Sequence, residues 1–305
     1  MGLYTSSGLN IAMNANLDYE NGRVKISIMP ATPEYDKTTK QEIPIVLSGT
    51  YIISRTSSKD KFMLNETVQN NKMNVEITTA DPYSFYDYAV EAGVEYRYFI
   101  QKYNSQNVFS QKVASNFVAV FFEDIFLYDG NKQLKVRFNP QVSSFKTVVA
   151  DSKKTTLGRQ YPFIFRNGIL NYKEFPISGL ISYLTDNEEL FMSKEDWYTL
   201  VEGNFGGVEQ EVFMSSTDIT DANLKYEKMF KLYVLDWLND GSIKLFKSPQ
   251  EGNYIVRLTN VSLSPNNTVS RMLHTFSCTA SEVAEYSLSN LANYSLTNSI
   301  NENIT

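Results

Sequence analysis

Apolar residues alternate with polar ones in run after short run of this chain, and they recur at helical spacing in one long window only. Alternation with period two puts one face of a strand in a core and the other in water, so a chain patterned this way folds mainly as antiparallel β structure. Gly93 to Tyr103 (GVEYRYFIQKY) carries the clearest such pattern, with Val94, Tyr96 and Tyr98 on one face. The turn residues Asn104 to Asn107 and the run Val108 to Val113 follow it, which predicts a hairpin. Arg23 to Met29, Gly49 to Thr56 and Asn74 to Thr79 read as further strands, closed by Pro30 to Pro33, Ser57 to Asp60 and Asp81-Pro82. Residues 34–43 read as a charged loop, and residues 1–20 as an arm or an edge strand.

Residues 21–119 resemble a fibronectin type III domain, and Ala92 to Asn104 (AGVEYRYFIQKYN) looks like its penultimate strand entering the last hairpin. The resemblance implies a β-sandwich in which Tyr96 or Tyr98 bonds its hydroxyl to backbone at a strand corner. The early Trp of that family is missing, since Trp occurs only at 197 and 237. Tyr51 or Ile53 is expected to fill its place.

A second β-rich domain is expected over 120–286. Val118 to Phe122 is a continuous apolar run and predicts a buried strand. Asp129-Gly-Asn131 stands between two strands as a hairpin turn. Gln133 to Phe138 alternates, with Leu134, Val136 and Phe138 expected inward and Lys135 and Arg137 outward. Leu170 to Ile177 contains Pro176 and so reads as an edge or irregular strand. The helical window is 221–238. Asp218 or Thr220 caps it, Tyr226, Phe230, Tyr233, Val234 and Trp237 form its apolar face, and Gly241 stops it. At ~1.5 Å per residue such a helix is about 27 Å long. Strands near 243–247, 254–263 and 271–280 complete the domain. Residues 287–305, rich in Ser, Asn and Leu, read as a flexible C-terminal arm.

Candidate chemistry is sparse. His274 is the one histidine and Cys278 the one cysteine of the chain, and both sit in strand-like apolar runs. A lone cysteine forms no disulfide within the chain, and a lone histidine leaves neither a zinc site nor a Ser-His-Asp triad a good start. The carboxylates at Glu123-Asp124 and at Asp186, Glu188 and Glu189 read as solvated loops. Gly203-Asn-Phe-Gly-Gly207 lacks the Lys-Ser/Thr of a phosphate loop. No catalytic, cofactor or metal residue is assigned, and no enzyme activity is expected. A net charge of −6 argues against a general nucleic-acid binder. No window is long and apolar enough for a membrane span, and no signal peptide is expected at the start. With 20 Tyr and 19 Phe, the chain is rich in residues that favour strands and interfaces.

A second resemblance rests on Phe122 to Leu127, Gln133 to Lys146, Thr156 to Gly168, Tyr172 to Ser182, Lys244 to Leu258 and Met272 to Ala284. These segments are similar to tailed-bacteriophage tail and baseplate proteins of the distal tail protein group. The resemblance implies a connector or baseplate component of the virion, made in the bacterial cytoplasm. It implies homo-oligomers, a hexameric ring among them, and tube, hub or baseplate proteins as partners. Distal tail proteins usually begin with the ring domain, whereas here a fibronectin-like domain precedes it. Arg159, Arg166 and Arg257 offer guanidinium forks to a neighbouring subunit's carboxylates, and Glu251 lies in the turn Ser248 to Asn253 as a further candidate contact. The alternative is a host-receptor or glycan-binding module at the tail tip, with Trp197 and Tyr198 stacking on sugar rings.

Overall fold

The computed structural model describes residues 11–30, 34–35, 42–43, 49–59, 72–77, 83–103, 112–154, 163–182, 231–265 and 273–296. The chain is mainly β. One compact unit comprises Met1–Glu123, Ser248–Gly252 and Ser287–Thr305; the other comprises Asp124–Lys247 and Asn253–Tyr286.

The strands of the first unit are β1 (Ile11–Asp18), β2 (Arg23–Pro30), β3 (Glu34–Tyr35), β4 (Glu42–Ile43), β5 (Gly49–Ser57), β6 (Lys72–Ile77), β7 (Tyr83–Asp87), β8 (Glu95–Tyr103) and β9 (Val113–Ala119). They build a three-stranded sheet β1-β2-β7 and a four-stranded sheet β6-β5-β8-β9, while β3 pairs with β4 alone. The inward positions follow period two: Ile11, Met13 and Ala15 on β1, Val24, Ile26 and Ile28 on β2, and Tyr96, Tyr98 and Ile100 on β8 are buried. The β1–β2 turn is set locally. Asp18 accepts from Asn21 Nδ2 at 3.0 Å and from Arg23 Nε at 2.7 Å, and Gly22 supplies the left-handed φ of 58°. The Asn116 side chain of β9 exchanges two 2.8 Å hydrogen bonds with the backbone of Ala15, which ties β1 to β9.

Several elements differ from the sequence reading. Residues 11–18 of the expected arm form the edge strand β1, held by β2 through Ile11↔Pro30 to Asp18↔Arg23. Within the charged loop, β3 and β4 form a two-residue ladder. The strand returning from β8 includes Val113–Ala119, beyond the expected Val108 to Val113, of which residues 108–111 lie outside the described residues. Strand β7 had no counterpart in the sequence reading, because Asp81-Pro82 was taken to close the strand before it. All five of its residues are buried. The run Val118 to Phe122 is not a fully buried strand. Val118, Val120 and Phe122 are buried while Phe121 is exposed, so it obeys the alternation of β9.

In the second unit, β10 (Ile125–Tyr128), β11 (Gln133–Val136), β12 (Phe138–Val142), β13 (Lys146–Lys154), β14 (Phe163–Ser182), β15 (Ile243–Ser248), β16 (Gly252–Pro265) and β17 (Leu273–Ala284) form one sheet. Its order is β11-β10-β15-β16-β17-β14-β12, with β13 also on β14. Helix α1 covers 231–239 of the described residues. Its Val234 and Trp237 are buried in one cluster with Leu127, Phe175, Phe246 and Phe276 of the sheet, and Tyr233 packs against it. Tyr226 and Phe230, the rest of the expected face, lie outside the described residues, as does the expected helix start. Gly241, with φ 74°, follows the helix as anticipated. The indole nitrogen of Trp237 donates to Asp129 Oδ2, and Asp129 Oδ1 accepts from the backbone of Asn131 and Lys132 at 2.8 and 2.7 Å. One carboxylate thus fixes the β10–β11 turn and clamps the helix to it. Helix α2 (Leu288–Asn293) belongs to the first unit. Ser287 caps it by accepting from Asn290 N–H, and Leu291 and Leu296 are buried, so residues 287–296 are packed where a flexible arm was expected.

Two expectations in this unit fail for reasons of pairing. Phe138 is 40% exposed and Lys135 is buried, the reverse of the simple alternation. Pairing with β10 ends at Val136, β12 restarts against β14 at Phe138, and Asn139 takes a φ of 50°, so the inward register is lost. Lys135 is tolerated inside because Asp124 pairs with it at 3.3 Å. Of the edge or irregular strand expected over Leu170 to Ile177, the irregular reading holds, since β14 changes partner within it, while Pro176 itself is not on an edge. It faces Thr279 of β17, and its carbonyl accepts from Ser143 N–H. That places its missing N–H where the partner on the other side changes from β12 to β13, so no ladder bond is lost.

Gly179 is required by close approach: a Cβ there would come within 2.4 Å of Val136 Cγ1. Gly179→Ala is expected to destabilise the protein by about 1–3 kcal/mol. Chemical denaturation checks this, and combining it with Val136→Ala should return part of the loss.

Candidate functional site

Charge and polarity gather at four places in the described residues. In the first unit, Asp87 at the end of β7 accepts from Arg55 NH1 of β5 and, at 3.0 Å, from the Tyr98 hydroxyl of β8. Its other oxygen accepts from Ala89 N–H at 3.0 Å. Burial, then the Asp87 charge, pushes the Tyr98 phenol well above its ordinary range. Close by in sequence, the Tyr96 hydroxyl accepts from Glu91 N–H at 3.0 Å, the corner bond that the sandwich resemblance implied for one of these two tyrosines. Tyr51 and Ile53 are both buried. Arg23, also buried, pairs with Asp18, donates to the Tyr88 hydroxyl and stacks 3.8 Å above the Tyr86 ring.

In the second unit, Lys244 is wholly buried at the foot of α1. Its Nζ lies 3.1 Å from Asp240 Oδ1, 2.7 Å from Ser242 Oγ and 4.1 Å from the Trp237 ring centroid. Burial lowers the Lys244 pKa, while the hydrogen bond and charge of Asp240 oppose the shift. Burial works to raise the Asp240 pKa, but the hydrogen bonds from Ser242 and Lys244 outweigh it and hold the carboxyl below its ordinary value. His274 and Cys278 lie on β17, opposite Ile181 and Ile177 of β14. Both are buried. Burial, then the Lys231 charge, lowers the His274 pKa; burial pushes the Cys278 thiol up to about 12.

Asp87, Arg23 and Lys244 each face polar partners within their own fold unit. Among the described residues, no three His, Cys, Asp or Glu side chains come together to hold a metal ion. No helix there is long and apolar enough to cross a membrane. Glu123 is exposed and Asp124 is spent on Lys135; Asp186, Glu188, Glu189, Trp197 and Tyr198 lie outside the described residues.

The candidate subunit contacts are dispersed. Arg159 lies outside the described residues. Arg166 is on β14 opposite Asp151 of β13. Arg257 is exposed on β16, opposite Ser281 of β17. Glu251 is exposed in the β15–β16 turn, where Ser248 Oγ accepts from the backbone of Gln250 and Glu251 and Gly252 takes a φ of 84°. No ladder links Arg166 to Arg257. The group the sequence reading missed is Asp87. The alternation of Tyr83, Phe85 and Asp87 was its available signal, masked by the aromatic residues at every neighbouring position.

The titrations have a definite sign. Folded Cys278 keeps its proton to about 12 while an unfolded thiol loses it near 9, so stability is full below pH 9 and falls as pH rises toward 12. The expected loss from this group is about 1.4 kcal/mol by pH 10, and Cys278→Ala should show a shallower alkaline decline in urea unfolding. At the other end, folded His274 resists protonation, so stability present above the ordinary histidine pKa is lost on acidification below it. A His274→Gln variant should lose less over that range. No protein-family model and no curated protein matches the chain.

Proposed function

We propose that this chain is a structural component of a bacteriophage tail, a connector or baseplate protein of the distal tail protein group that works by assembly and not by catalysis. The observation that carries this reading is where the polar chemistry goes. Among the described residues, Asp87, Asp129 and Lys244 are engaged in holding strand to strand and helix to sheet. What the surface offers instead is sheet edge: β11, β12 and β13 each have an outer side with no strand partner among the described residues. Such edges are the usual material of strand-to-strand assembly.

The first unit is read as a fibronectin type III-like sandwich. Its split into three and four antiparallel strands and the Tyr96 corner bond support that reading. Residues 231–239 are read as the C-terminal part of one helix beginning near Asp221. In this account tube, hub or baseplate proteins are the partners, the oligomer is a ring or collar, and the protein resides in the virion.

The test is assembly. Purified protein, alone and mixed with tail-tube and hub proteins encoded beside it, should give rings or defined complexes by mass photometry and negative-stain electron microscopy. A chain that stays monomeric in every mixture would sink the proposal. Binding of isolated protein to host cells or glycans would favour the tail-tip receptor reading.

A further inference from the structure

Asn is followed by Gly at two places in this chain, Asn21-Gly22 and Asn167-Gly168. Glycine has no side chain to shield its own nitrogen, and its backbone turns freely, so that nitrogen can reach the side-chain carbonyl carbon of the preceding Asn. When it attacks, the glycine N–H loses its proton, the side-chain amide leaves as ammonia, and a cyclic succinimide remains. Water then opens the ring at either carbonyl and gives aspartate or isoaspartate. Asn21-Gly22 forms the β1–β2 turn, and the closed turn engages both reacting groups. The nucleophile is the Gly22 N–H, which donates to Tyr19 O at 3.2 Å. The leaving group is Asn21 Nδ2, which donates to the two oxygens of Asp18 at 3.2 and 3.0 Å. Asp18 is itself held by Arg23 Nε at 2.7 Å, and Gly22 is buried in a left-handed conformation with φ 58°. Ring closure therefore requires Asn21 to leave Asp18 and Gly22 to leave Tyr19, which opens the turn.

The product cannot remake the same turn. A carboxylate replaces the two N–H donors that faced Asp18, so repulsion stands where hydrogen bonds stood, and the new charge competes with Asp18 for Arg23. Isoaspartate also adds a carbon to the backbone of a turn whose length fixes the β1–β2 register, from Ile11↔Pro30 to Asp18↔Arg23. Strand β1 relies on that register to bury Ile11, Met13 and Ala15 and to present the Ala15 backbone to Asn116 of β9.

We propose that Asn21 is a deamidation site gated by the β1–β2 turn: the closed turn protects it, each opening exposes it to succinimide formation, and the product holds the turn open. The first unit thereby keeps a one-way chemical record of its own opening, written at the edge strand β1. This inference goes beyond the assembly reading and does not rest on it.

The full chain is incubated at mildly alkaline pH, native and in urea, and peptide mapping by mass spectrometry follows conversion of Asn21 and Asn167 to aspartate and isoaspartate. In urea the two should convert at similar rates. In the native protein Asn21 should convert more slowly than in urea, by on the order of tenfold or more. Asp18→Ala removes the acceptor of the leaving amide and should return several-fold of that rate to the native protein while leaving the rate in urea unchanged. Asn21→Asp carries the product's side chain, and its amide hydrogen exchange should show protection lost along β1 and β2 but kept along β8. Conversion of Asn21 as fast in the native protein as in urea would overturn the proposal, as would no conversion in urea where Asn167 reacts. An unchanged native rate in Asp18→Ala, or wild-type protection of β1 and β2 in Asn21→Asp, would overturn it too. Should either variant fail to fold, the wild-type rates in the two conditions decide.

Discussion

A strand's backbone must find partners for its N–H and C=O groups, and β14 meets that demand three times over along one continuous segment. From Glu174 to Ser182 it has β17 on one side, with β12 on the other from Ile177 to Leu180 and β13 reaching it at Glu174. From Lys173 outward only β13 remains. Much of the second unit hangs on that strand. Phe175 and Ile177 enter the core beneath the helix, Gly179 lets Val136 approach to a distance no side chain would permit, and the outer half pairs with β13 alone. The carboxylate of Glu282 takes the Lys173 N–H at the point where pairing with β17 ends.

Among the described residues, Asp87 and Lys244 are buried charges with their partners in place. Asp87 takes three donors from three different segments of the first unit, and Lys244 has a carboxylate, a hydroxyl and an indole face around its amine. Groups so enclosed set register more than they add stability, because the cost of drying them offsets most of what the pairing returns. The same enclosure raises Cys278 and lowers His274, keeping both neutral across the ordinary pH range. These groups hold the fold together.

Legibility in the sequence followed the range of the interaction. Gly93 to Tyr103, the Asp129-Gly-Asn131 turn and the Gly241 stop were all readable, because alternation, an Asx turn and a left-handed glycine act within a few residues of themselves. Phe138 and Lys135 were misread because their inward direction depends on where β11 ends and β12 restarts, which β14 decides from a distance. Pro176 rightly marked an irregular strand, but its place inside the sheet was not legible, because it depends on where β14 exchanges one partner for another. Strand β7 was missed because burial of every residue erases the alternation by which strands are found. Of the candidate contacts, Arg257 and Glu251 are exposed, but nothing in the spacing of the charges foretold that β13 would pair with β14.

By itself, the sequence determined a mainly β chain with hairpins at set places, one amphipathic helical window, and a lone histidine and lone cysteine poorly suited to the usual catalytic sets. Those properties are local, fixed by period, turn chemistry and composition. Only the tertiary structure decided that Ile11–Asp18 and Leu288–Asn293 are ordered parts of the first unit, that Asp129 joins a turn to a helix, and that β14 changes partners along its length. Each of these is set by the partner of a segment far along the chain, which no local pattern encodes.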